Sequence, residues 1–156
     1  YNNMILNPLK NILCHAEQHL YPDGSLKSVF YGKGYNYSKK LSRQLFLRNY
    51  FSTSAVVCKK ELIMKFGGFD ENMMNAQDYD LWLKISPECN PLFLDNILGL
   101  YRIRPGNITS RSIEKKTINL LKIFVRYKSY VSIRELILKM IKIIASYSKQ
   151  KARRFI

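Results

Sequence analysis

One segment constrains the fold of this chain more than any other: residues 65–85, with the sequence KFGGFDENMMNAQDYDLWLKI. The adjacent Gly67 and Gly68 can adopt positive φ angles, which end a helix or let a ligand approach the backbone closely. Asp78 and Asp80 come just before a run of apolar residues, and carboxylates in the first turn of a helix are favoured by its macrodipole. The segment therefore predicts a helix end, an acidic turn and a second helix that begins near Asp78.

Short apolar runs alternate with helix-like segments along the first two thirds of the chain. Proline at position 22 and glycine at position 24 predict a turn at Tyr21–Gly24. Strands are predicted at Asn11–His15, Ser52–Cys58 and Pro91–Arg104, the last with a turn inside it, and helices near Ser38–Asn49, Lys60–Phe66 and Asp78–Ser86. Strands that alternate with short helices predict an α/β layer structure.

The composition is that of a folded domain. Of the 156 residues, 47% are hydrophobic and 13% aromatic, which excludes a disordered chain and is enough for one core. Cys14, Cys58 and Cys89 are odd in number and contain no C-x-x-C pair, so we expect reduced, packed thiols. We expect no secretory signal and no transmembrane helix. Because the chain begins with Tyr1, we expect it to be a fragment or a processed product.

Positive charge is concentrated in the last third. Residues 1–110 carry 13 Lys and Arg against 9 Asp and Glu, whereas residues 111–156 carry 13 against 2, a net charge of +11. Apolar residues recur here with helical spacing, and Ser132 with Glu135 forms an S-x-x-E capping box. Two interpretations stay open: a helical hairpin that packs on the domain with a solvated basic face, or a basic amphipathic surface on anionic lipid, where each basic residue contributes about 1 kcal/mol.

Three motifs in order carry a resemblance to a known family. GGFDE, QDYDLWLK and YRIRPGNITS resemble the back half of the family 2 glycosyltransferases of the GT-A fold. The resemblance extends from about Tyr1 to Arg111. It implies an α/β chain in which residues 1–111 are the C-terminal, acceptor-side half of a partial GT-A (nucleotide-diphospho-sugar transferase-like) domain. Residues 112–156 then form a C-terminal tail of basic amphipathic helices.

The resemblance implies roles for the residues of the second motif. Asp78 matches the aspartate that acts as the general base and takes the proton of the acceptor hydroxyl. Gln77 stands where many relatives have glutamate, and its amide can still bind a sugar hydroxyl. Asp80 is the alternative base and an acceptor-binding candidate, although a structural role as a helix cap or an ion-pair partner is also open. Trp82 is predicted to lie in the core.

The other two motifs supply further candidates. Gly67, Gly68 and Phe69 match the loop that shapes the acceptor pocket, while Asp70 is expected to order the turn. Arg104 stands where many relatives have histidine. Since a guanidinium group binds phosphate oxygens but not metals, Arg104 is either a diphosphate ligand or a surface charge.

The donor site of the resembled family is not present in this sequence. That family holds Mn²⁺ or Mg²⁺ against the donor diphosphate with a D-x-D loop in its N-terminal nucleotide-binding half. No D-x-D stands upstream of Tyr21, and His15 and His19 lack metal-ligand spacing, so no metal ligand is predicted in these residues. We therefore expect the N-terminal half to be missing from this chain, and the isolated chain to be inactive.

The complete protein is then expected to be an inverting glycosyltransferase of the hexosyltransferase type. It would move a sugar from a nucleotide-sugar donor to a lipid-linked glycan acceptor in the synthesis of bacterial surface polysaccharide or another cell-envelope glycan. We expect a cytoplasmic enzyme, peripheral at the inner face of the plasma membrane, with no nucleic-acid partner. Two alternatives remain: a basic nucleic-acid-binding protein, which the pI of about 9.8 favours, and a non-catalytic membrane-associated scaffold.

Overall fold

The computed structural model describes residues 2–73, 75–104 and 113–152, which fold around a four-stranded mixed sheet. The strands are β1 (Ile12–Leu20), β2 (Leu26–Val29), β3 (Val56–Cys58) and β4 (Pro91–Arg102). The helices are α1 (Asn2–Leu6), α2 (Leu41–Leu47), α3 (Lys60–Lys65), α4 (Gln77–Ile85), α5 (Ile113–Tyr127) and α6 (Ile133–Ala152), with 3-10 turns at Thr53–Ala55 and Lys128–Tyr130. The third sequence motif beyond Arg104 and the predicted boundary at residues 111 and 112 lie outside the described residues.

β1 is the central strand of the sheet. β4 runs parallel to β1 along its whole length, while β2 and β3 pair antiparallel with its second and first halves. Because β4 pairs along one side of β1, strands β2 and β3 both pair along its other side. This arrangement confirms the predicted α/β class. β1 is longer than the predicted strand at Asn11–His15, because the polar residues Glu17 to His19, which sequence rules place outside strands, continue the same pairing.

The predicted strand at Ser52–Cys58 is wrong in its first half. A 3-10 turn occupies Thr53–Ala55, and only Val56–Cys58 pairs with β1. The Ala55 N–H donates to the carbonyl of Ser52 at 2.9 Å, and the hydroxyls of Ser52 and Ser54 lie 3.0 Å apart. Short hydroxyl side chains favour such turns because they bond locally, in competition with a strand ladder.

The core lies between the sheet and the helices. Helix α4 is its centre, with Leu81, Leu83 and Ile85 fully buried. Trp82 packs edge-on against Phe51 with ring centroids 5.8 Å apart, which confirms its predicted place in the core. The Tyr79 hydroxyl donates to the carbonyl of Leu45 at 2.8 Å, so α4 is fixed against α2 by both apolar packing and a buried hydrogen bond.

Helices α5 and α6 form the helical hairpin of one of the two interpretations left open for the last third of the chain, and they pack on the same core. Phe124 of α5 is buried against Phe46, with ring centroids 5.0 Å apart. The predicted capping box is confirmed, since the Ser132 N–H donates to the Glu135 carboxylate at 3.0 Å and the Glu135 N–H to the Ser132 hydroxyl at 3.4 Å. Within the described ranges, none of the helices combines the length and apolar character needed to cross a membrane.

Candidate functional site

A cavity of about 590 Å³ opens at the N-terminus of α4. It lies where the loop after α3, the 3-10 turn and the first turn of α4 meet. Two of the three sequence motifs that predicted a site therefore contribute to one cavity. We call it the α4 cavity, and it is lined by Thr53, Phe69, Asp70, Glu71, Met73, Asn75, Ala76, Gln77 and Asp78.

Asp78 places a partly exposed carboxylate in the α4 cavity. One oxygen, Oδ2, accepts a hydrogen bond from the Thr53 hydroxyl at 2.9 Å. The other, Oδ1, accepts the N–H of Tyr79 at 2.8 Å. A carboxylate has about four lone-pair sites, so each oxygen keeps capacity for a further donor from the cavity. The side chain is thus oriented on both oxygens and open to a ligand.

The start of α4 is locally strained. Ala76 precedes the helix in the left-handed region, at φ 59° and ψ 15°, and its carbonyl accepts the first helical hydrogen bond from Asp80. A non-glycine residue in this region costs on the order of 1 kcal/mol or more, and such positions cluster at functional sites. This turn places the Gln77 and Asp78 side chains at the cavity. The helix begins at Gln77, close to the predicted start near Asp78.

Asp80 has surroundings opposite to those of Asp78. Its side chain is fully buried, it does not line the α4 cavity, and its Oδ1 accepts a 2.7 Å bond from Arg126 of α5. Arg126 also donates to Asp70 at 3.1 Å. Of the two roles that the sequence left open for Asp80, the geometry supports the structural one, because a carboxylate with no exposed surface cannot contact an acceptor in this conformation.

Asp70 orders the acidic turn, as expected. Its carboxylate accepts the Asn72 N–H at 3.1 Å as well as the Arg126 bond. The Arg126 guanidinium is the largest of the influences that lower the pKa of Asp70. Asp70 is therefore a negatively charged neighbour of the cavity whose charge is partly offset by Arg126.

Gly67 and Gly68 act on the cavity indirectly. The N–H of Gly67 donates to Met64 at 3.0 Å and that of Gly68 to Ile63 at 3.1 Å, which is a Schellman cap on α3. Both glycines have positive φ, 74° and 68°. Neither lines the cavity, but the cap directs the chain so that Phe69, 44% exposed, does. The Gly68 carbonyl also accepts a bond from Lys84 of α4 at 2.9 Å.

Arg104 is not brought to this cavity. It follows the end of β4, its side chain is exposed, and it is absent from the lining. Its assignment as a diphosphate ligand stays a prediction. The structure therefore unites Phe69, Gln77 and Asp78, and it separates them from Asp80 and Arg104.

The sequence analysis missed Glu17, Thr53 and Ser54. Glu17 lies on β1, only 2% exposed, and accepts hydrogen bonds from the Tyr31 hydroxyl at 2.6 Å and the Ser54 hydroxyl at 2.7 Å. Burial raises its pKa, but the bonds from Tyr31 and Ser54 outweigh this and leave the pKa below its ordinary value. The single acidic residue of β1 and the hydroxyl-rich S-T-S run at residues 52–54 were the available signals.

Nucleophilic and metal chemistry are not favoured in the described residues. The free thiols Cys14 and Cys58 have pKa values raised by burial to about 11, and that of Cys89 to about 12, so all three stay protonated near neutral pH. Among residues 2–73, 75–104 and 113–152, no cluster of three or more His, Cys, Asp or Glu side chains could hold a metal ion. Among the three carboxylates that line the cavity, that of Asp78 is hydrogen-bonded on both oxygens and can accept a further donor.

Part of the chain is similar to a characterised class of enzyme. Over 58 residues, 37% of this chain, it is 36% identical to the O-antigen biosynthesis glycosyltransferase WbnJ of Escherichia coli. The matched segment spans only 22% of that enzyme. No family model matches the sequence. The similarity supports a glycosyltransferase in the general sense and suggests polysaccharide biosynthesis.

Proposed function

We propose that this chain is the acceptor-side part of a family 2-like, GT-A glycosyltransferase that uses Asp78 as its general base. The observation that carries the proposal is the position of the Asp78 carboxylate at the N-terminus of helix α4. It accepts hydrogen bonds from the Thr53 hydroxyl and the Tyr79 N–H, and it is open to a cavity of about 590 Å³. The partial similarity to an O-antigen glycosyltransferase supports the same reaction class.

The proposed reaction is an inverting displacement. The acceptor hydroxyl oxygen forms a bond to the anomeric carbon of the donor sugar, while the bond from that carbon to the diphosphate oxygen breaks. The diphosphate leaves with the bonding electrons, and Asp78 takes the proton of the attacking hydroxyl. Gln77 and Phe69 line the same cavity, where an amide and an aromatic ring can bind and orient a sugar.

The donor and its divalent metal are proposed to bind outside these residues. The described side chains offer no cluster that fits Mn²⁺ or Mg²⁺, so we derive no step through a metal here. We propose that a D-x-D loop in further polypeptide of the same protein supplies that site, and that Arg104 contacts the diphosphate. Sequencing the gene upstream of the Tyr1 codon tests this part: an open frame with a D-x-D loop supports it, and a stop codon there contradicts it.

The acceptor is proposed to be lipid-linked, with the enzyme peripheral at the inner face of the bacterial plasma membrane. The support is an exposed aliphatic face of α6 formed by Ile133, Ile137, Ile141 and Ile144, each more than half exposed. It lies in the part of the chain with a net charge of +11. A surface of this kind suits anionic lipid better than water.

Replacing Asp78 in the complete enzyme tests the proposed base. We expect Asp78→Asn, which keeps the shape and removes the basic oxygen, to lower kcat by about 10²- to 10⁴-fold. Turnover is measured as release of nucleoside diphosphate with a panel of nucleotide sugars and lipid-linked glycan acceptors. Asp95→Asn, an exposed position on β4, is the matched control and keeps full activity. Wild-type turnover in Asp78→Asn would remove Asp78 as the base and favour the scaffold alternative.

A further inference from the structure

The 3-10 turn Thr53–Ala55 connects two carboxylates that lie on different elements. On one side, the Thr53 hydroxyl donates to Asp78 of α4 at 2.9 Å. On the other, the Ser54 hydroxyl donates to the buried Glu17 of β1 at 2.7 Å. Neighbouring residues of one turn thus contact the candidate base and a fixed point in the central strand.

We propose that Glu17, Ser54 and Thr53 are positioning residues that hold Asp78 in the orientation needed for proton transfer. The inference rests on the proposed function, since it concerns the base assigned there. Glu17 fixes Ser54, Ser54 fixes the turn, and the turn presents the Thr53 hydroxyl to Oδ2 of Asp78. None of the three residues is assigned a bond to the reacting atoms.

The direction of these hydrogen bonds follows from the charge of Glu17. An ionised carboxylate only accepts, so the hydroxyls of Ser54 and Tyr31 must both donate to it. The lowered pKa of Glu17, in which these bonds overcome the effect of burial, agrees with an ionised group at neutral pH. Glu17 is therefore a rigid acceptor, held from two sides, on the strand that every other strand of the sheet contacts.

Gly99 on β4 leaves room for this arrangement. A Cβ atom at Gly99 would lie 3.1 Å from Cε1 of His15 and 3.4 Å from Cγ and Oε1 of Glu17. That Cβ atom would be tight against the His15 ring and would meet Glu17 at an ordinary van der Waals distance. Thr53 is suited to the other end of the network, because a β-branched side chain has few χ1 rotamers and so holds its hydroxyl in place.

The test compares Thr53→Val with Thr53→Ser in the complete enzyme. Valine keeps the shape but removes the donor, so we expect kcat to fall about tenfold to a hundredfold, the scale of a small misplacement of a catalytic group. KM for the acceptor and the melting temperature stay close to wild type, and Thr53→Ser restores most of kcat. A purely structural role would lower the melting temperature and would not separate kcat from KM.

A double variant shows whether Thr53 acts through Asp78. If it does, Thr53→Val adds no further loss to Asp78→Asn, because the base it orients is gone. Losses that multiply would overturn the inference, as would wild-type kcat in Thr53→Val. If Asp78→Asn abolishes turnover while Thr53→Val does not change it, only the positioning role fails. If Asp78→Asn is itself fully active, the proposed base fails and this inference fails with it.

Ser54→Ala tests the link to the central strand. We expect a fall in kcat in the same direction as for Thr53→Val and smaller, because the turn loses its anchor while Thr53 keeps its hydroxyl. Ser28→Ala, an exposed position on β2, is the matched control and leaves kcat unchanged. Wild-type kcat in Ser54→Ala would remove Glu17 and Ser54 from the network.

Discussion

Asp78 and Asp80 are two residues apart on α4, and the helix gives them opposite surroundings. Successive helical residues are rotated by about 100°, so side chains two positions apart do not share a face. The Asp78 side chain lines the cavity, whereas the Asp80 side chain is buried in the core and accepts a hydrogen bond from Arg126. The sequence analysis made both residues site candidates because both lie in the QDYDLWLK motif, and the helical phase separates them.

Glu17 contributes to the dependence of stability on pH in the acid range. Its folded-state pKa lies below the ordinary value of about 4.3, so the folded state binds fewer protons than the unfolded state in that range. The stabilisation is fully present above pH ~4.3 and is lost as the pH falls through the lower folded-state pKa.

We therefore expect the melting temperature of the wild type to fall more between pH 6 and pH 3 than the melting temperature of Glu17→Gln. This range brackets the ordinary glutamate pKa of about 4.3. Thermal unfolding followed by circular dichroism across this range measures the difference. Glu61→Gln, an exposed glutamate of α3, is the matched control. Parallel pH profiles for wild type and Glu17→Gln would contradict the prediction.

At the scale of elements, α5 supports the loop that forms the site. Arg126 bonds both Asp70 in the acidic turn and Asp80 in α4. Asn119 donates to the side chain and carbonyl of Asn75, which lines the cavity, at 3.0 and 3.1 Å. The first helix of the basic tail is therefore part of what orders the cavity.

We expect Arg126→Ala to lower the free energy of unfolding by about 2 kcal/mol, because Asp80 would keep a buried charge without its partner. The expected loss is below that for a fully buried pair, since Arg126 is 44% exposed. Arg43→Ala is the control, because its partner Glu135 is not fully buried and solvent screens the pair.

Denaturant unfolding measures both variants. Adding Asp80→Asn to Arg126→Ala should recover part of the loss, because a neutral amide costs less to bury than a carboxylate. Equal losses for Arg126→Ala and Arg43→Ala would contradict a special role for the buried pair.

Local signals in the sequence predicted several elements correctly. The glycine cap of α3, the start of α4 and the Ser132 capping box depend on interactions within a few residues, which a sequence pattern contains. The contacts of the 3-10 turn at Thr53 were missed because its hydroxyls bond to Asp78 and Glu17, 25 and 37 residues away. Of the residues that line the α4 cavity, the sequence singled out Phe69, Gln77 and Asp78 and missed Thr53, whose position depends on a contact between distant segments.

At the scale of the whole molecule, α6 has two apolar faces. Leu136, Met140 and Ile143 pack against the core, while the isoleucine face defined above stays exposed. The sequence predicted one amphipathic helix, but only the packing shows which side remains open. Exposed basic residues of the same helix, such as Arg134 and Lys142, add positive charge to α6.

We expect the complete protein to co-sediment with vesicles that contain phosphatidylglycerol and not with pure phosphatidylcholine vesicles. An Ile137→Ser and Ile141→Ser double variant should reduce binding, since each aliphatic side chain contributes about 1.5–3 kcal/mol when fully buried and a part of this at an interface. Leu26→Ser, an apolar residue equally exposed on β2, is the matched control and keeps wild-type binding.

The salt dependence of binding distinguishes this lipid interaction from nucleic-acid binding. Binding to lipid through both charge and aliphatic surface should weaken with salt but persist in part, because the apolar contribution is not screened. Binding to duplex DNA with a steep dependence on salt, together with no preference for anionic vesicles, would favour the nucleic-acid-binding alternative instead. If the double variant bound vesicles as the wild type does, α6 would not be the docking face, and charge elsewhere in the tail would have to account for the attraction.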